Sequence, residues 1–213
     1  ELKYMTAKEE DILTSQNLIK KGVVIDRVLD SLILTNGVKV NDLFLGDKNA
    51  VMVAARILAY GSEYSAELID PNTQEKIDYT FDLSECPFKK LPEGVTENKF
   101  EVTLPISKKK ITFKLLTGNE EELITKDLNA SKKISSQVKP ELTTRLRYSI
   151  IEVDGDSSQS VINETAINIL ARDSMFLRKE IVNVTPDIDL TQEVELGGES
   201  VKVAIPMTVN FFW

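Results

Sequence analysis

Carboxylates are the residues best placed to do chemistry in this 213-residue sequence, because imidazole and paired thiols are both missing. It contains no histidine, which removes Ser-His-Asp and Cys-His nucleophilic machinery, imidazole acid–base work and imidazole-ligated zinc or iron. The single cysteine, Cys86, has neither a thiol partner nor an imidazole to activate it, so beside Pro87 it reads as a small buried filler. Asp154-Gly155-Asp156 resembles the start of a calcium loop, but that loop needs Gly at its sixth position and Glu at its twelfth. Those places hold Gln159 and Thr165, so a solvated turn before a helix is expected. Asp187 and Asp189 alternate after Pro186 and could act as a carboxylate pair on one strand face. No apolar cleft or aromatic platform lies nearby in sequence, and a turn or capping role is expected instead.

Two charges fall where a core is expected. Asp173 sits on the apolar side of its helix, and Arg56 lies within the small-residue helix of residues 50–59. An unpaired charge in a core costs several kcal/mol, so the expectation is a structural ion pair between them, or between Asp173 and Arg145 or Arg147. Lys108-Lys109-Lys110 could meet phosphate. Against a net charge of −8 it reads better as a solubilising hairpin tip, and nucleic acid is not an expected partner.

The elements that must position these residues follow from periodicity. Thr6-Ala7-Lys8-Glu9 predicts a capping box, with Glu9, Glu10 and Asp11 in the first turn of a helix that Gly22 breaks. Val24, Val28, Leu29, Leu32 and Ile33 give a second apolar stripe, stopped at Asn36-Gly37. A third helix runs from an Asp47 cap to Gly61. Alternation then predicts one hairpin around Asp70-Pro71-Asn72-Thr73 and another over residues 100–116. Asn119 is the expected cap of a further helix, residues 142–153 are ambiguous between helix and strand, and one long helix is expected over residues 160–182. The tail predicts a hairpin about Gly197-Gly198 and ends in Phe211-Phe212-Trp213.

The implied fold class is α+β, helical layers carrying small antiparallel hairpins. Helix-then-hairpin occurs twice, so the division expected is an N-terminal half, residues 1–117, and a C-terminal half, residues 118–213, within what could be one continuous domain. No residue-by-residue repeat is read between them. No window approaches 18 uninterrupted apolar residues, so no membrane span is expected, and the cysteine usage suits a reducing compartment. What remains for function is surface: the aromatic end Phe211, Phe212 and Trp213, and the acidic turn Glu9, Glu10 and Asp11. The aromatic end would serve either as an interface or as a cap on the core.

Tyr4-Met5-Thr6-Ala7-Lys8-Glu9-Glu10-Asp11-Ile12-Leu13 and Gly46-Asp47-Lys48-Asn49-Ala50, running into Ala55-Arg56-Ile57-Leu58-Ala59-Tyr60-Gly61, resemble a baseplate-hub family of T-even-type contractile-tailed bacteriophages. Asp173-Ser174, Pro186-Asp187-Ile188-Asp189 and the ending from Pro206-Met207 to Trp213 extend the likeness over nearly the whole chain. It implies a late viral protein, built into the hub or needed to assemble it, with other hub and tail proteins as partners, a homo-oligomer being compatible. Its place would be the tail baseplate or, during assembly, the host cytoplasm. The resemblance also implies a proline-serine-glycine segment ahead of Tyr4, consistent with a trimmed start. Relatives carry Cys-x-x-Cys pairs at hairpin tips, where this sequence has Asp70 to Thr73 and Leu196-Gly197-Gly198-Glu199. At Asp70, Thr73, Gly197 and Glu199 the ligands of such a zinc knuckle would have been lost, and neither zinc nor any other cofactor is expected. Two further readings stand beside the non-enzymatic hub protein: a carboxylate-based metal-dependent enzyme, and a degenerate zinc-ribbon binding module.

Overall fold

The chain begins with three short helices, α1 (Ala7–Leu13), α2 (Gln16–Lys21) and α3 (Val24–Leu32), in a computed structural model that describes residues 1–70, 72–134, 140–196, 198–205 and 209–212. Helix α4 (Leu45–Tyr60) leads into a hairpin of β1 (Glu63–Ile69) and β2 (Lys76–Asp82), followed by the short β3 (Phe88–Lys89). Next come β4 (Phe100–Thr103), β5 (Lys110–Phe113), α5 (Gly118–Ile134), α6 (Glu141–Ser149) and β6 (Ile150–Val153). The chain closes with α7 (Gln159–Asn168), α8 (Ala171–Val184), β7 (Asp187–Ile188), the hairpin β8 (Thr191–Leu196) and β9 (Glu199–Ala204), and a 3-10 turn, Val209–Phe212. Small antiparallel sheets of two or three strands between helices make this an α+β protein.

Two compact units contain these elements. One gathers Glu1–Val40, Gly46–Lys89 and Asp187–Trp213; the other gathers Asn41–Leu45 and Lys90–Pro186. Grouping by contact thus places the late hairpin β8–β9 with the first helices, where division by chain order at 117/118 groups different residues.

In the first unit, residues 1–3 run antiparallel to the segment after α3: Leu2 bridges Ile33, and the Lys3 amide donates to the Leu32 carbonyl at 2.9 Å. Between them α1 and α3 pack together, burying Leu13, Val28, Leu29 and Leu32. The expected first helix is broken at Thr14-Ser15, and Gly22 ends α2 in the left-handed conformation, φ 70°. Helix α3 stops at Leu32, short of Asn36-Gly37, because Ile33 turns extended to join the bridge. Hairpin β1–β2 buries Tyr64, Leu68 and Phe81 on one face, and β8–β9 buries Val194 and Leu196. The two hairpins are tied at their bases: β3 pairs with β7, and Gln192 of β8 donates to the Asp82 carbonyl at 2.8 Å.

The second unit is built on the sheet β4–β5–β6. Its core holds Leu104, Ile111, Phe113, Leu115, Leu146, Ile150, Val153, Ile162, Ala166 and Leu177. The ambiguous residues 142–153 contain both answers, a helix that turns into a strand at Ile150. The long helix expected over residues 160–182 is two helices instead, interrupted by extended Ile169 and Leu170. That break sets Asp173 in the first turn of α8, where it meets the β4–β5 connection. The polar residues 131–140 begin inside α5; residues 135–139 lie outside the described residues.

Candidate functional site

Arg56 organises the end of the chain. It projects from α4 into the first unit, 6% exposed, and its guanidinium donates to three carbonyls: Phe211 at 3.1 Å, Gly61 at 3.0 Å and Glu63 at 3.2 Å. One side chain therefore holds the exit of α4, the start of β1 and the terminal turn, a task that suits the rigid five-donor fork of a guanidinium. Tyr60 and Tyr64 lie within 5.0 and 5.9 Å of its charge as aromatic faces. Burial lowers the Arg56 pKa from its usual value, the two tyrosines opposing it, and burial raises both phenols. Tyr60 accordingly keeps its proton and donates to Glu10 Oε1 at 2.9 Å.

Two of the terminal aromatics belong to the core. Phe211 and Phe212 are fully buried, with Phe211 5.1 Å from the Tyr64 ring and edge-on to Phe212 at 5.7 Å. Of the two roles held open for them, capping the core is the one their burial fits; Trp213 lies outside the described residues. Within the acidic first turn, Glu9 is fully buried, Glu10 is partly buried and Asp11 is exposed. Glu9 closes the capping box, taking the Thr6 amide at 3.0 Å and hydroxyl at 2.6 Å on one oxygen, and Lys3 Nζ at 2.8 Å with the Ser31 hydroxyl at 3.3 Å on the other. The Lys3 and Thr6 bonds outweigh burial and hold this carboxyl at about 2.

Sequence reasoning missed a second clamp of this kind. At the head of α5, Glu120 accepts the Thr117 amide at 2.9 Å and its hydroxyl on one oxygen, and Lys114 Nζ at 2.6 Å on the other. Burial would raise its pKa, but Lys114 and Thr117 together lower it to about 2. Thr117, not Asn119, starts the helix; the Asn119 amide instead reaches Asp42 at 2.9 Å. The spacing Lys-x-x-Thr-x-x-Glu was the available signal.

The expected ion pair of Arg56 and Asp173 is corrected. The two residues belong to different units, and each is satisfied within its own by main-chain groups. Asp173 is fully buried and accepts the amides of Ile106 at 2.8 Å and Ser107 at 2.9 Å. Burial acts to raise its pKa, but those amides, the Ser107 hydroxyl and the Lys108 charge outweigh it and hold the carboxyl below its ordinary value. The two arginines considered for Asp173 have other partners: Arg145 pairs with Glu121 and Glu141, and Arg147 with Asp127. Buried main-chain donors at a tight connection served where an opposite charge was expected.

The remaining carboxylates serve local geometry. Asp154 accepts the Lys110 amide at 2.7 Å, Asp156 the Ser158 amide at 2.7 Å, and Asp189 the Thr191 amide at 2.8 Å, while Asp187 accepts the amide of its neighbour Ile188. At the first hairpin tip Asp70 is buried and takes the amides of Asn72 at 2.7 Å and Thr73 at 3.2 Å, an Asx turn; the Thr73 hydroxyl accepts from the Glu75 amide at 3.3 Å. At the second, Leu196 and Glu199 are in register across a two-residue loop in which Gly198 takes φ 83° and Gly197 lies outside the described residues. No group of three or more Cys, Asp or Glu side chains converges as a metal cage among the described residues. The Cys86 thiol is pushed up in pKa, chiefly by burial, with Gln192 Nε2 at 3.5 Å from its sulfur. No described helix is long and apolar enough to cross a membrane.

The carboxylates that sequence marked for chemistry are thus engaged in the caps, turns and clamps of an α+β fold. The chain belongs to the T4 bacteriophage base plate protein family, whose model matches residues 1–213. It is a structural component of the phage tail baseplate. No curated protein matches the chain, and no solved structure matches it.

Proposed function

We propose that this chain works in the hub of the baseplate, through contacts with other tail proteins, as a built-in part or as a factor that assembles the hub. The observation that carries the reading is the consumption of its reactive residues by the fold: Glu9, Glu120, Asp70 and Asp173 each hold main-chain amides. Exposed apolar side chains remain in each unit, among them Tyr4, Ile69 and Phe88 in the first and Ile167, Leu170 and Met175 in the second. Aromatic anchors such as Tyr4 are the kind that dominate the energy of protein contacts, and exposed aliphatic neighbours add apolar area to bury. Nucleic acid is disfavoured by the net charge of −8, and the reading needs neither cofactor nor turnover.

Deleting the gene in its phage and imaging the baseplates tests this. Incomplete hubs are the expected result, with quantitative mass spectrometry of mature particles dividing a resident part from a factor that leaves. Complete, infectious particles without the chain would overturn the hub reading. Assembly during infection in the host cytoplasm belongs to the same proposal.

A further inference from the structure

Residues 3–14 and 114–125 read Lys-Tyr-Met-Thr-Ala-Lys-Glu-Glu-Asp-Ile-Leu-Thr and Lys-Leu-Leu-Thr-Gly-Asn-Glu-Glu-Glu-Leu-Ile-Thr. Lys, Thr, both Glu and the last Thr coincide at a constant offset of 111, and the other positions of the acidic and apolar run are conservative. The structure gives the coincidence physical content. In both, the glutamate takes threonine amide and hydroxyl on one oxygen and lysine on the other. In both, the residue that closes the first apolar pair is buried, Leu13 and Ile124.

The agreement extends past the two helix heads. The clamp lysine's amide donates to the last residue of a later helix, Lys3 to Leu32 and Lys114 to Ser149. That helix ends in an extended isoleucine whose amide closes on a leucine carbonyl four residues back, Ile33 on Leu29 and Ile150 on Leu146. The same isoleucine faces the residue before the clamp lysine across an antiparallel pair, Leu2 with Ile33 and Phe113 with Ile150. Further on, Ala54-x-x-Ile57-Leu58-Ala59 returns in sequence as Ala166-x-x-Ile169-Leu170-Ala171, but the first lies inside α4 and the second spans the break between α7 and α8, so the agreement in structure ends before it. Each copy then proceeds to a two-stranded hairpin, β1–β2 and β8–β9. Chance agreement of sequence, side-chain geometry and main-chain pairing in the same order along the chain is a poor explanation.

We infer that the chain is a tandem of two copies of one module, a helical run between two paired extended segments, each locked at its head by its own lysine–threonine–glutamate latch, and that the two latches open independently. The carboxylate joins the entering lysine to the helix cap, and that lysine's own amide holds the end of the returning helix, so loss of the latch frees one module's entry without touching the other's. This goes beyond the hub reading and does not depend on it.

Hydrogen exchange with mass-spectrometric readout on the full chain at neutral pH tests the inference. Glu9→Gln is expected to speed exchange across residues 3–34 by about tenfold or more while residues 114–153 stay as they were, and Glu120→Gln the reverse. If either glutamine variant does not fold, Lys3→Met and Lys114→Met remove only the outer half of each latch and are read in the same way. Equal acceleration of both regions by a single substitution, or no change in either, would overturn it.

Discussion

At the scale of single residues, the chain satisfies buried charge with its own main chain. Arg56 and Asp173 looked like an ion pair because an isolated charge in a core is expensive, and that premise holds. The solution differs, since carbonyls at a helix exit and amides at a tight connection were present at the right distance. Hydropathy marks that a charge will be buried but carries no word of which backbone groups it will meet. Phe211 and Phe212 follow the same logic, and Phe212→Ala is expected to cost about 3–5 kcal/mol, read as a lowered urea midpoint. A surface ring would leave the midpoint within about 0.5 kcal/mol of the parent. The Ser174 hydroxyl is buried without a hydrogen-bond partner among the described residues. Ser174→Ala should therefore stabilise the protein by about 1 kcal/mol, seen as a higher melting temperature.

At the scale of elements, the heads of α1 and α5 set the acid response. Glu9 and Glu120 sit at about 2 against an ordinary value of 4.5, so their stabilisation is complete above that ordinary value. It is lost as pH falls through the folded values. Melting temperature should thus fall between about pH 5 and about pH 2, and Glu9→Gln with Glu120→Gln should flatten that fall. An unchanged slope in the double variant would show that other carboxylates carry the acid response. Gly118, the first residue of α5, is where a side chain has no room: an added Cβ would lie 2.9 Å from the Asn41 Cα. Because the obstacle is backbone, Gly118→Ala is expected to destabilise the second unit by about 1–3 kcal/mol, measured by denaturation. The helix split at Ile169-Leu170 belongs to the same scale. Residues 160–182 keep helical periodicity throughout, and the break is recognisable only once Asp173 is seen holding Ile106 and Ser107.

For the whole molecule, composition speaks to what the protein meets more than to its shape. A net charge of −8 spreads over a surface whose Lys108–Lys110 tip is a small exception. Mobility-shift titration with duplex DNA at physiological salt is expected to give no complex at micromolar protein, and a salt-dependent complex would reopen the zinc-ribbon reading. The assignment of hairpins to units is a property of the whole chain as well. Hairpin β8–β9 comes after the second module in sequence yet belongs with the first helices, tied at its base by β3–β7 and Gln192. Elements adjacent in sequence are not obliged to share a core.

Local signals sufficed for local structure: the Thr6–Glu9 box, the αL stop at Gly22, the Asp70 turn and the α+β class follow from side chains reaching only three or four residues along the chain. The family likeness, too, lay in contiguous motifs. That Arg56 also grips the Phe211 carbonyl, that Asp173 meets Ile106 and Ser107, and which hairpin joins which unit depend on groups tens to more than a hundred residues apart. Those pairings minimise free energy only after the chain has closed on itself, and so tertiary structure alone decided them.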